Sequence, residues 1–219
     1  MQPAYKEKLA PYVPAQALEE LVRLIDSHQI QVNIRRGRLS KLGDFRPARQ
    51  ASPDRISVNG NLNIYAFLMV FLHELAHLLV WKQKGRAASP HGKLWKDTFG
   101  FLLREFVGKG FFHPSLEDAL IDYSFQVKAA GLGSPELQRR LHLFDPELDA
   151  NEGQMFLEEL PYSSLFVAAN GRLFRKEDQL RKRFRCLCLR NKRTYLFHPM
   201  ARVTLVENEI SKSKSFHNN

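Results

Sequence analysis

Cysteine is almost missing from this chain. The two present, Cys186 and Cys188, stand two residues apart in a sequence of 219, poorly placed to bridge each other. That excludes a disulfide framework and fits a reducing compartment. It also argues against a structural zinc knuckle, because C-x-C lacks the second cysteine pair such sites use. Residues Met1 to Ala10 have no apolar core, so no secretory signal is expected and the expected address is the cytoplasm. Acidic residues are outnumbered 23 to 33 by Lys and Arg, a net charge of +10, which biases the surface toward anionic partners such as nucleic acid. Long apolar runs are scarce. Ile64 to Trp81 alone tempts a membrane assignment. His73, Glu74 and His77 would then sit near the bilayer centre at considerable cost, so no membrane partner is expected. No internal repeat is visible.

What is present centres on that same run. His73-Glu74-Leu75-Ala76-His77 reads H-E-x-x-H. Histidines four apart on a helix lie one turn above each other, so both imidazoles reach one ion. The glutamate between them can meet a water held by that ion. The flanks are helical in spacing: Ile64, Phe67, Leu68, Phe71, Leu72, Leu75, Leu78 and Leu79 form one apolar face. The histidine side is also largely apolar, so the helix is expected to be buried all round. Histidines in such a helix need polar partners, and a shared metal supplies one.

A third ligand is needed. Ser89-Pro90 announces a helix with His91 in its first turn, fourteen residues beyond His77. His91 is preferred over Glu105, which lies near the far end of that helix. The alternative with glycine three and histidine six residues after His77 is excluded, since Val80 and Gln83 stand there.

In chain order, the spacing predicts a helix over Pro14 to His28, then strands over Gln29 to Arg36, Leu39 to Asp44 and Arg55 to Asn59. An edge strand beside the metal helix could hold a peptide by backbone pairing. Asn61 or Asn63 could cap the H-E-x-x-H helix. Helices are expected over Ser115 to Ala130, ended by Gly131, and from Ser134-Pro135 to Leu143. The acidic stretch Asp145 to Gly153 reads as a boundary. Six short strands follow between Met155 and Val206, with Asn170-Gly171 as a tight hairpin turn. This predicts an α+β protein ending in a small basic β-rich domain, a barrel or curled sheet. Arg181, Lys182, Arg183, Arg185, Arg190, Lys192 and Arg193, interleaved with Phe174, Phe184, Tyr195 and Phe197, are the candidate nucleic-acid surface.

The H-E-x-x-H run, together with Pro90-His91-Gly92-Lys93-Leu94-Trp95 and with Leu42-Gly43-Asp44-Phe45-Arg46-Pro47 before Ile56-Ser57-Val58-Asn59, resembles the SprT-like family of zinc metallopeptidases. The resemblance covers roughly Leu18 to Phe112. It implies a compact zincin-like domain with helices packed on a small sheet, one catalytic Zn2+ on His73, His77 and His91, and Glu74 as the catalytic residue. The family's eukaryotic member, Spartan, is a DNA-dependent protease. Many relatives end in a zinc ribbon with paired cysteines, which this chain lacks. The expected organisation is a zincin domain over 1–112, a helical connector over 113–150, a basic β domain over 151–208 and a disordered tail over 209–219. The expected function is zinc-dependent hydrolysis of a protein or peptide substrate, with DNA as a candidate partner. The alternative is a nucleic-acid-binding protein with a structural or weakly active zincin half. Tyr65, Tyr123 and His113 are candidate oxyanion donors.

Overall fold

The computed structural model describes residues 2–38, 41–49, 52–128, 133–145, 153–181 and 183–206. The expected tail, Lys182, the helix stop at Gly131 and most of the acidic boundary lie outside the described residues. The protein mixes helix and sheet in two compact units, 1–146 and 147–219, an α+β arrangement.

The first unit begins with α1 (Gln2–Leu9) and, after a 3-10 turn, α2 (Leu18–His28). Strands β1 (Gln31–Arg35), β2 (Gly43–Arg46) and β3 (Arg55–Asn59) form one sheet in the order β1-β3-β2. β1 runs parallel to β3 and β2 antiparallel to it. β3 reads as a nearly continuous buried run because both of its faces are covered. β2 starts later than the periodicity suggests, since Leu42 closes the preceding loop by accepting the Asn59 N–H. It is an edge strand.

The long helix α3 (Ile64–Lys84) packs on β2 and β3 and forms the centre of the unit. Asn63 is its cap: its side-chain oxygen accepts from the N–H groups of Tyr65 and Ala66. Every residue from Ala66 to Leu72 is buried, so this helix is held by burial on all sides. Each fully buried Leu or Phe contributes about 1.5–3 kcal/mol. Helix α4 (Lys93–Phe106) returns along α3, followed by α5 (Pro114–Phe125) and α6 (Pro135–His142). Leu116, Leu120, Leu137 and Leu141 belong to the same core as α3, so the stretch 113–145 supplies two helices to this unit. At Gly100 an added Cβ would lie 2.2 Å from the Ser124 carbonyl oxygen, which shows how closely α4 and α5 approach.

The second unit is a six-stranded antiparallel sheet: β4 (Gln154–Phe156), β5 (Leu165–Ala168), β6 (Leu173–Leu180), β7 (Arg183–Cys188), β8 (Thr194–Phe197) and β9 (Arg202–Leu205). The strand order is β4-β9-β5-β6-β7-β8. Phe166, Phe174, Phe184, Cys186, Cys188 and Val203 fill its core.

Candidate metal centre

Three imidazoles converge in the first unit. His73 and His77 sit one turn apart on α3. His91 comes from the connection to α4, and there the structure departs from expectation. His91 does not lie in the first turn of a helix. The Gly92 N–H bonds the Ser89 carbonyl, closing a turn, and α4 starts only at Lys93. His91 takes a left-handed backbone, φ 57°, uncommon for a residue with a Cβ and found preferentially at functional sites. That turn points its ring back toward α3. Nε2 of His91 lies 3.1 Å from Nε2 of His77 and 3.3 Å from Nε2 of His73. All three donor atoms lie within 4.8 Å of one another, so the cluster could hold a metal ion.

The donor chemistry fits such an ion. A neutral imidazole has one N–H, so a single proton between two rings leaves the third lone pair facing another nitrogen. A central cation accepts from all three. Three nitrogens bound tetrahedrally at about 2.0–2.1 Å stand roughly 3.3 Å apart, close to the spacings seen here. Burial first, then the neighbouring rings, lowers the pKa of His73 to about 3, and burial with His91 lowers that of His77 to about 4. His91 is also lowered, by burial and then by Lys96. Neutral imidazole is the form that binds metal.

The walls of the cluster are aromatic. The Trp95 ring centroid is 4.6 Å from that of His73, 5.1 Å from His77 and 4.5 Å from His91. Phe99 packs on His73 at 5.4 Å. Both come from α4, so one helix braces all three rings. Trp95 lies four residues after His91, and that spacing was the signal available for it.

Glu74 is nearly buried, 7% exposed, against the sheet. An added Cβ at Gly43 would lie 2.5 Å from its Oε1, so the first residue of β2 must be glycine for the carboxylate to sit there. The Phe45 N–H donates to Glu74, opposing the shift that burial and the Asp44 charge produce; the net pKa rises to about 7. Gly43, Phe45 and Asp44 therefore form the surroundings of Glu74. Spacing along α3 could not reveal them.

The other candidates are placed elsewhere. Glu105 is exposed and pairs with Lys109 at 3.8 Å. Tyr65 and His113 pack with Phe144 near the start of α3, and the Tyr123 hydroxyl donates to the Lys128 carbonyl. The basic residues of the second unit are divided between the two ends of β7. Arg181 forms the β6–β7 turn, with φ 48°, next to Arg183. Arg190, Lys192 and Arg193 form the β7–β8 turn. Six residues of strand separate those ends by about 20 Å. Arg185, between them, pairs with Asp178 at 2.6 Å. Phe174 and Phe184 are buried, and Tyr195 and Phe197 pack against the core, so the interleaved aromatics face inward.

Over 35 residues the chain is 66% identical to Protein SprT of Salmonella arizonae, a match covering 16% of this chain and 21% of that protein. Protein SprT of Salmonella newport matches at the same identity and coverage. The chain thus spans about a fifth of the length of these curated relatives. No family model matches, and no solved structure matches. The similarity to SprT proteins is therefore local, and it falls on a chain whose three histidines could hold a metal ion.

Proposed function

We propose that this protein is a zinc-dependent peptidase of the SprT type, with His73, His77 and His91 holding the metal and Glu74 as general base. The observation that carries this reading is the convergence of three Nε2 atoms at 3.1 and 3.3 Å on the helix that also bears the buried Glu74. Zinc in that position would supply Lewis acidity toward water and the scissile carbonyl. Glu74 takes the proton from the attacking water and returns it to the leaving amine. Trp95, against all three rings, and Phe99, against His73, hold the imidazoles in orientation. The outer edge of β2, beside Glu74, is suited to align an extended peptide.

Metal analysis of the purified protein, with casein and DNA-bound histone as substrates in the presence and absence of DNA, tests the reading. H91A should lose metal affinity by on the order of a hundredfold. E74Q should keep the metal and lose cleavage. Cleavage retained in E74Q would remove Glu74 as the base.

A second reading, nucleic-acid binding through the second unit, has its own support. Arg172 on the β5–β6 turn and Arg190, Lys192 and Arg193 on the β7–β8 turn lie at one end of the sheet, because β6 starts where β7 ends. All four are exposed, and among the described residues no carboxylate pairs with them. With the aromatics turned inward, the contact would be to phosphates rather than stacked bases. Binding of the full chain to DNA should weaken steeply with salt, and R190Q/K192Q/R193Q should flatten that slope.

A further inference from the structure

We propose that Arg38 binds a carboxylate of the substrate, so that the site takes peptides carrying an acidic group beside the bond to be cut. This rests on the peptidase reading above.

Arg38 lies in the β1–β2 connection, and a single buried amide orients it. Asn59, 1% exposed at the end of β3, accepts the Arg38 Nε–H on its Oδ1 at 2.9 Å. Its Nδ2 donates to the carbonyls of Arg38 at 3.1 Å and Lys41 at 3.0 Å, and its backbone N–H donates to Leu42 at 2.9 Å. The next residue in the chain is Gly43, whose Cα lies directly against the Glu74 carboxylate. The stretch that positions Arg38 is thus the stretch that touches Glu74, and the Arg38 charge acts on that carboxylate.

The guanidinium is incompletely used. Its Nη2 is shut off from solvent and meets no acceptor, and no carboxylate pairs with Arg38 among the described residues. Neighbouring cations are committed: Lys41 and Arg46 both pair with Asp44. A half-buried guanidinium with no counter-ion is poorly compensated, and a carboxylate brought close to it offsets that charge. With Nε held by Asn59 and Nη2 enclosed, Nη1 is the donor left to meet an incoming carboxylate, in a charge-assisted hydrogen bond. Arg35 at the end of β1 and Arg36 just after it, both exposed, add positive field on this side.

Two sources offer this chemistry, an internal Glu or Asp side chain and a free C-terminus. The test uses the full-length zinc-loaded protein and three labelled alanine-serine decapeptides, read by fluorescence anisotropy. One has a central Glu and an amidated end, one a central Gln and a free carboxylate, and one a central Gln and an amidated end. Wild type should bind one of the acid-bearing peptides roughly tenfold or more tightly than the neutral one, and which one identifies the source. R38Q should abolish that preference, R38K should keep part of it, and R36Q should leave most of it. Equal affinity of wild type for all three peptides, no binding of any, or a preference that survives R38Q overturns the proposal. Zinc affinity, measured by chelator competition, should be unchanged in R38Q. If wild type binds no zinc through the three histidines, it is the peptidase reading that fails. If R38Q loses its fold, R38K decides: it should show a reduced preference, and a full one overturns the proposal.

Discussion

The two units bury ionisable groups in opposite ways. In the second unit Lys176 is 2% exposed, yet its ammonium donates to the carbonyls of Leu157 at 2.8 Å and Leu160 at 2.5 Å, and lies 4.0 Å from the Phe184 ring centroid. It stitches the 3-10 turn after β4 to β6, and its partners are all internal. Cys186 and Cys188 are buried beside it as small apolar groups, and burial pushes the Cys186 thiol up to about 11, where it stays protonated. In the first unit, three imidazole nitrogens face one another, and Arg38, Arg55 and Trp95 each keep a sequestered donor with no acceptor. A buried polar group whose partners are all supplied by the fold belongs to the architecture. One whose partners are incomplete points to a ligand.

That contrast can be broken, and the largest effect is expected in the second unit. K176M should destabilise it by about 3 kcal/mol, because the carbonyls of Leu157 and Leu160 lose their donor inside the core. Urea unfolding would measure this, and metal affinity of the first unit should not change. A K176M protein as stable as wild type would show that the ammonium is not the staple. G43A comes next. Its methyl group would stand 2.5 Å from Glu74 Oε1 and 2.6 Å from Val70 Cγ1, so overpacking should cost about 2 kcal/mol of first-unit stability. Near-neutral unfolding midpoints for G43A would contradict the close seating of β2 on α3.

The smallest effect is on pH dependence, and it is the sharpest probe of the cluster. His73 and His77 titrate lower in the folded metal-free protein than the usual 6.5. Below that pH the unfolded chain therefore takes up protons that the folded one refuses, and stability falls as pH falls. Glu74 works against this. Its folded pKa is raised from 4.5 to about 7, so the folded form keeps a proton the unfolded chain releases, and stability falls as pH rises through that window. Two histidines outweigh one glutamate. In chelator-treated protein the net loss from pH 7.5 to 5 should be roughly 1–2 kcal/mol, discounted for the partial exposure of His77. E74Q removes the opposing contribution and should be the more acid-sensitive protein. Equal acid sensitivity of the two would place Glu74 in a wetter setting than its burial indicates.

Much of this molecule was legible from residue patterns. The period of α3, the cap at Asn63 and the spacing of His73 and His77 are local properties, set within one or two helical turns. The hairpin at Asn170-Gly171 and the cap-and-proline start of α6 at Ser134-Pro135 are local in the same sense. Where patterns misled, the cause was tertiary. Ser89-Pro90 looks like a helix start, but the chain turns once more before α4 begins, and that turn gives His91 its left-handed backbone. The basic and aromatic run of the second unit looks like one surface. Alternation along β7 sends its arginines outward and Phe184 inward, and the hairpins send the remaining charges to opposite ends.

The sequence by itself determined which groups could take part: a pair of imidazoles one helical turn apart, a carboxylate between them, and a third histidine within reach. The imidazole pair and the carboxylate follow from helix geometry, which needs no distant partner. Only the tertiary structure decided that β2 would lie against Glu74 with a glycine at the contact, that Trp95 would brace all three rings, and that Asn59 would hold Arg38, whose charge acts on Glu74. These depend on segments far apart in the chain coming into contact, and the burial that shifts the pKa values of the site arises only once they have packed.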